Sequence, residues 1–394
     1  MAFSIYKAAF ATFTLRRPFQ DLVGTAGVMI NLLLAAACLY GCSAKPQPKP
    51  VVLPEAFSQA PAISTKQSKN FTCPETPAPF VEQLVFTSKY EGSDKSRSTL
   101  NAAAFEEYMD QTESIVSFQK TLSGLSDKYF YTGDKAIRDC ALDMLNTWAT
   151  APALLSKDTN HTGRSARKWT LAAASSSYAK LTHGSIKNAP PNAKQTEAIE
   201  HWLATIADIV VVDYTQSNID KVNNHDYWAA WAVSITGAVL HRKDLLDWSY
   251  SKFSQAMNQV DENGFLPNEI RRKHLALSYH NFAIQPLVSM ALTLKVNDYD
   301  VLSINNRALE RLVNKTVAGL SNPDIFRKQT GEEQTLNNVV SNTGLAWIEP
   351  WLIMEPKANI PQEWKNLRPL SSSRMGGDLT LLYTKQRVKK EKDQ

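Results

Sequence analysis

An all-α domain is the fold class that the sequence predicts, on three observations. Apolar residues recur at helical spacing in window after window, turn-forming clusters separate the windows, and period-two alternation is scarce. The clearest window is TEAIEHWLATIADIVV, where Ile199, Trp202, Leu203, Ile206 and Val210 fall on one helix face. Trp228, Trp231, Ala232, Ile235 and Val239 do the same further on. In chain order, further helices are expected over 101–122, 135–154, 165–182, 243–260, 270–296 and 302–319. KNAPPNAK (Lys187 to Lys194) and DENG (Asp261 to Gly264) read as turns. LTLLYT (Leu379 to Thr384) reads as a short strand. Helices joined by short turns point to a bundle or an α/α toroid, and no internal repeat marks a solenoid.

A chain of 394 residues can form one large domain or two. Its apolar content of 43% and charged content of 21% are those of a globular protein. The net charge is +5, and a chain without residues 1–41 loses three basic residues and one acid and keeps +3. That excess suits an anionic partner. Without a Lys/Arg stripe interleaved with aromatics it argues against nucleic acid. The basic end, 386–394, reads as a solvated, frayed tail.

Arg16 and Arg17 precede the apolar run LVGTAGVMINLLLAAACLYGC, the pattern of a secretory signal over residues 1–41. Its end, Leu39-Tyr40-Gly41-Cys42, resembles a bacterial lipobox, so Cys42 is the expected lipidation site and Cys38 a second candidate. An uncleaved anchor is the alternative, because the run nears spanning length. Either way the body is exported, and a lipid would hold it to a membrane surface without crossing it. The expected location is the periplasm, tethered to the outer membrane. Residues 42–72, rich in Pro, Ser, Ala and Lys, are expected to be a semi-extended tether, with 73–385 as the folded domain. Cys73 and Cys140 form an even pair in an exported chain, which predicts one disulfide, with two free thiols the alternative. No further Cys pair or His cluster gives zinc-type spacing.

Two windows carry chemistry. In NNHDYWAAW (Asn223 to Trp231) two amides, an imidazole and an acid stand directly before large aromatics, at or just before a helix start. In FLPNEIRRKHLALSYHN (Phe265 to Asn281), Pro267 and Asn268 start a helix that places Arg272 and Tyr279 on one face, about 10 Å apart along the axis. Together they supply what β-elimination of a uronic-acid polymer needs. Donors such as an Asn amide, a His N–H and an Arg neutralise the C6 carboxylate while charge develops at C5. A Tyr beside an Arg supplies acid–base chemistry, its pKa of about 10 drawn down by the cation.

These two windows closely resemble the alginate lyases of polysaccharide lyase family 5. So do CPETPAPF, FTSKYEGSDKSRSTLN, CALDMLNTWA, NHTGRSARKW, GLAWIEPW and RMGGDLTLLY, in the family's order from residue 73 to 383. The resemblance implies an α/α toroid of helical hairpins with an open polysaccharide groove, a mobile lid loop, a poly-β-D-mannuronate substrate and no cofactor. It implies that Asn224 and Arg272 neutralise the C6 carboxylate, that His225 assists there, and that Tyr279 protonates the leaving oxygen. In mannuronate the C5 hydrogen and the C4 oxygen share a face, so Tyr279 is expected to take the first proton and give it to the second atom. SKYEGSDKSR matches the lid, with Lys89, Tyr90 and Arg97 facing an acidic chain. Lys168 and Trp169 are expected in the groove, and Arg374 as a carboxylate contact. Trp202 and Trp248 are expected in the core, and the protein is expected to be a monomer.

Asp226 stands where the family pattern leads one to expect a small polar residue. It is expected either to raise the pKa of His225 or to help start the helix. A lyase for another polyuronate such as a glucuronan is the alternative within the same chemistry. An alginate-binding or export-assisting lipoprotein is the alternative outside it, and Asn224, His225, Arg272 and Tyr279 together favour the enzyme.

Overall fold

The computed structural model describes residues 49–59, 71–94, 97–183, 191–215 and 221–384. The signal segment, Cys38, Cys42 and the tail 386–394 lie outside the described residues. The helices are α1 (Ala102–Gln111), α2 (Glu113–Thr132), α3 (Lys135–Thr150), α4 (His161–Thr182), α5 (Ala193–Thr215), α6 (Asn224–Val239) and α7 (Lys243–Gln259). They continue with α8 (Pro267–Ile270), α9 (Ala276–Lys295), α10 (Ile304–Ser321), α11 (Asp324–Thr330), α12 (Ile348–Met354) and α13 (Gln362–Lys365). Two short antiparallel strands follow, β1 (Ser371–Ser372) and β2 (Gly377–Asp378), with Ser371 opposite Asp378.

Helices α2, α4, α6 and α9 pack side by side in that order as an inner layer, while α3, α5, α7 and α10 lie outside against them. This alternation of inner and outer helices is an α/α toroid. The turn between β1 and β2 packs on α2, α4 and α9. Each outer helix needs only one apolar face, and in α5 the buried set includes Ile199, Trp202, Leu203, Ile206 and Val210. The inner α4 and α6 are buried on nearly every side. Their small polar residues hydrogen-bond across the layer: Ser175 Oγ to Thr236 Oγ1 at 2.7 Å, and Gln119 Nε2 to Thr170 Oγ1 at 2.8 Å. Pairing these groups removes the penalty of burying them.

Four sequence expectations are corrected. The expected helix over 101–122 breaks at Thr112, whose hydroxyl donates to the Tyr108 carbonyl at 2.8 Å, so α1 and α2 part there. Residues 379–384 are helical rather than strand, with Leu379, Leu382 and Tyr383 buried at helical spacing. The body begins at Pro50 rather than Cys73. Val51, Leu53, Ala56 and Phe57 of the expected tether are buried in the core, and Asn297 pairs with both backbone groups of Val52 at 2.8 Å. A periodless Pro-rich segment looked like linker because its apolar residues pack one by one. Trp248 is half-buried, its indole donating to Thr215 Oγ1, whereas Trp202 is in the core. A disulfide joins Cys73 to Cys140 with Cα atoms 5.8 Å apart.

The segment expected to form a lid grows from this scaffold over residues 88–94 and 97–101. Tyr90 bridges to Leu100 in antiparallel fashion, and the Asp94 carboxylate accepts from the backbone of Ser98 and Thr99 at 2.7 Å each. Its root lies along the start of α4. Asn160 caps that helix through Gly163 N at 2.9 Å and donates to the Phe86 carbonyl at 2.8 Å. The fit needs glycine, because a Cβ at Gly163 would stand 1.7 Å from the Leu84 carbonyl oxygen. Gly163→Ala is therefore expected to lower stability by about 1–3 kcal/mol through overpacking. Urea unfolding would show a lower midpoint at unchanged slope, and an unchanged midpoint would contradict the packing described.

Candidate active site

Helix α6 starts in a capping box. Asn223 caps it, the Asn223 Oδ1 accepting from His225 N at 3.0 Å, and Asp226 reaches back to Asn223 N at 3.2 Å. The cap fixes the first turn, and Asn224 and His225 both line a cavity of about 480 Å³. Asp226 faces the other way, toward Lys252 Nζ at 3.4 Å. Of its two expected roles it fills the second, helping to start the helix.

His225 Nδ1 lies 3.1 Å from Lys168 Nζ and 3.1 Å from Ser165 Oγ. The Ser165 hydroxyl gives its one hydrogen to the His161 carbonyl, and Lys168 also donates to Tyr214 Oη at 2.7 Å. A lysine always carries hydrogens to offer, so Nδ1 accepts and Nε2–H is the ring group left for the cavity. Burial, and then the positive charge of Lys168, His161, Arg272 and Arg97, hold His225 well below the usual histidine range. The ring is thus a neutral donor, and the expectation that Asp226 would favour imidazolium is overturned. Lys168 is corrected too. It is completely buried behind His225 rather than in the groove, and burial lowers its own pKa well below normal.

Arg272 and Tyr279 do not share a helix. The chain leaves α8 at Ile270, Lys273 adopts a left-handed φ of 56°, and α9 starts only at Ala276. That break folds the guanidinium back over the phenol, with Cζ 4.4 Å from the ring centroid. The Tyr279 hydroxyl hydrogen-bonds the Tyr90 hydroxyl from the lid. Burial and the neighbouring Tyr90 push the Tyr279 pKa above its usual value, outweighing Arg272. The expected downward pull is therefore reversed, because sequence shows the cation but not the burial. Adjacent His280 is fully buried and ties the two stretches together, accepting from Leu266 N at Nε2 (2.9 Å) and contacting the Ala276 carbonyl at Nδ1 (2.8 Å).

The remaining expected residues meet at the same cavity. Lys89, Tyr90 and Arg97 line it from the lid, Trp169 from α4 and Arg374 from the turn after β1. The Arg374 guanidinium stacks 3.8 Å over Trp169, and its carbonyl accepts from the Trp231 indole at 2.9 Å. Three participants were missed. His161 packs edge-on against His225 at 4.3 Å between centroids, with Arg97 Nη1 3.4 Å from its Nδ1. Helix α1 supplies Phe105 and Met109 to the cavity wall. Glu269 lies buried beneath Asn224. His161 and Glu269 stand in segments that mattered for other reasons, NHTGRSARKW and LPNEIRRKH, where a His next to a cap and an acid beside an Arg were the available signals.

Fold and groove define a class, a helical toroid whose open site is lined by cations, an amide and paired phenols. The sequence model described as alginate lyase matches residues 85–326. An alginate lyase of Pseudomonas syringae pv. tomato is 41% identical over 315 residues, 80% of this chain and 83% of its own. One from Pseudomonas aeruginosa (strain LESB58) is 39% identical over 328 residues, 82% and 89% respectively. Among solved structures, an alginate lyase A1-III variant complexed with a tetrasaccharide has the same fold, with a TM-score of 0.71 at 24% identity over 85% of this chain and 96% of that one. The chain belongs to the alginate lyase family, polysaccharide lyase family 5.

Two measurements follow from these environments. Burial lowers His280 to about 4, below its unfolded value near 6.5, so the unfolded chain binds the extra proton between those values. The stability this contributes is fully present above about pH 6.5 and is lost as pH falls toward 4, on the order of 3 kcal/mol. Denaturation across that range should show the loss, and His280→Phe should make it shallower by that share, since His161, His183 and His225 are lowered as well and keep theirs. Lys168→Met should raise the His225 pKa by removing its nearest cation, read from the imidazole proton shifts against pH; no movement would separate Lys168 from His225 electrostatically.

Proposed function

We propose that the protein cleaves poly-β-D-mannuronate, the mannuronate blocks of alginate, by β-elimination. The observation that carries this reading is Tyr279, hydrogen-bonded to the lid and capped by Arg272 in the cavity that Asn224 and His225 also line. The substrate's C6 carboxylate would take Arg272 and the Nε2–H of His225, which offsets charge as C5 becomes anionic. His225 serves as a neutral donor and not as the base.

Tyr279 performs both proton transfers. Its raised pKa keeps it protonated in the resting enzyme, so the phenol first sheds its proton to solvent past Tyr90. The phenolate oxygen then takes the C5 proton. The C5–H electron pair forms the C4–C5 double bond, the C4–O bond breaks, and the same proton passes from Tyr279 to the departing oxygen, leaving a phenolate that recovers its own proton from solvent after turnover. The products are a 4,5-unsaturated uronate end and a new reducing end. Because C5–H and C4–O share a face in mannuronate, one group can serve both, which supports mannuronate over guluronate blocks. The site is carried on a body whose N-terminal leader and Cys42 fit export and lipid tethering in the periplasm.

The test follows ultraviolet absorbance of the new double bond on mannuronate-rich, guluronate-rich and glucuronan polymers. The mannuronate polymer should give the fastest rise, with kcat/KM climbing as pH increases. Tyr279→Phe should lose on the order of 10³-fold or more in kcat. Tyr90→Phe, which removes only the lid's hydrogen bond, should lose on the order of 10-fold. Absorbance rising equally with Tyr279→Phe would remove Tyr279 from the chemistry. Binding without any rise on all three polymers would leave a carbohydrate-binding protein instead.

A further inference from the structure

Several buried polar atoms of the described residues have no hydrogen-bond partner, and the one on a residue of the expected catalytic set belongs to Asn224. Asn224 Oδ1 is buried and accepts nothing. The other end of the same amide is fully used: Nδ2 donates to both oxygens of Glu269 at 3.0 Å, and the Asn224 backbone N–H donates to Oε1 at 2.8 Å. An ionised carboxylate, which can only accept, imposes this orientation. It leaves a buried acceptor unpaired and turns the amide donors away from the cavity that Asn224 lines. With its NH2 committed to Glu269, the amide offers a uronate no donor.

One added proton resolves both defects. With Oε2 protonated, Glu269 can donate to Asn224 Oδ1 once the amide turns half a rotation, while Oε1 keeps the backbone N–H. The freed NH2 then points to the groove. We propose that Glu269 is a positioning residue that takes up a proton from solvent when a uronate occupies the groove and, as a neutral acid, turns the Asn224 NH2 onto the substrate carboxylate. This rests on the lyase reading above and adds to it a proton that the elimination itself does not use.

The charges around Glu269 favour that uptake. Burial raises its pKa more than Arg272 and the Asn224 hydrogen bonds lower it, and Asp226 raises it further. Tyr227 and Tyr279, the other titratable groups facing it, are both held protonated by burial. Arg272, with Nε 3.9 Å from Glu269 Oε2, is its one nearby cation among these groups. A substrate carboxylate against Arg272 would share that cation between two acids, and like charges so close drive one of them to hold a proton.

The direct test is infrared difference spectroscopy of the Tyr279→Phe protein with and without a mannuronate tetrasaccharide. Loading should produce a protonated-carboxyl C=O stretch that shifts in deuterium oxide and disappears when Glu269→Gln is added. The kinetic test sets Glu269→Gln against Glu269→Ala in the otherwise native enzyme. Glutamine carries a donor where the neutral acid would, so it should restore most of the kcat that alanine loses, a loss on the order of a hundredfold. A loaded protein without the carboxyl band overturns the proposal, and needs no change at residue 269. A glutamine variant that folds normally yet is as slow as alanine overturns it as well. If the tetrasaccharide fails to bind and the native enzyme cuts no mannuronate, the lyase reading has failed instead.

Discussion

The inner helices of the toroid all run the same way, and the site depends on that constraint. Because outer helices carry the chain back each time, α2, α4, α6 and α9 begin at one end of the ring. Val116, His161, His225 and Tyr279, all in or near the first turn of those helices, line one cavity. Helix N-termini carry partial positive charge and unpaired N–H groups. Four of them converging make a floor suited to an anion before any charged side chain is counted. Arg97, Arg272 and Arg374 then add full charges around it.

That floor also explains why histidine and tyrosine are tuned as they are. Cations and burial act in the same direction on His225, so it stays neutral and can only donate outward. They act in opposite directions on Tyr279, and burial wins. Neutral side chains in a positive basin leave the substrate as the main negative charge there. The electrostatic work of binding is then concentrated on its carboxylates, where the proposed elimination needs it.

The sequence carried the outer helices best. Ile199, Trp202, Leu203, Ile206 and Val210 mark one face because α5 has one wet side. The inner α4, buried all round, shows Ala and Ser where a stripe would otherwise stand, so its length was read short. Asn224, His225, Arg272 and Tyr279 could be found because polar groups crowd beside aromatics and the segments resemble a family. Lys168 was misplaced because a lysine is rarely buried, and only the packing of α4 against α5 and α6 hides this one. The directions of the Tyr279 and His225 shifts escaped for a related reason: neighbours in sequence reveal charge, whereas desolvation is a property of the finished fold.

The docked stretch from Val51 to Phe57 has a practical bearing on how this enzyme is produced. His241 Nδ1 contacts the Val51 carbonyl at 2.9 Å, just past the end of α6 opposite Asn224. A shortened version begun at residue 65, which the Pro-rich composition invites, would strip this segment away. It would uncover the apolar socket that receives Leu53 and Phe57, an invitation to self-association. Trimming for solubility should therefore stop before Pro50, and a preparation that aggregates when cut further in would be reporting a missing piece of the core.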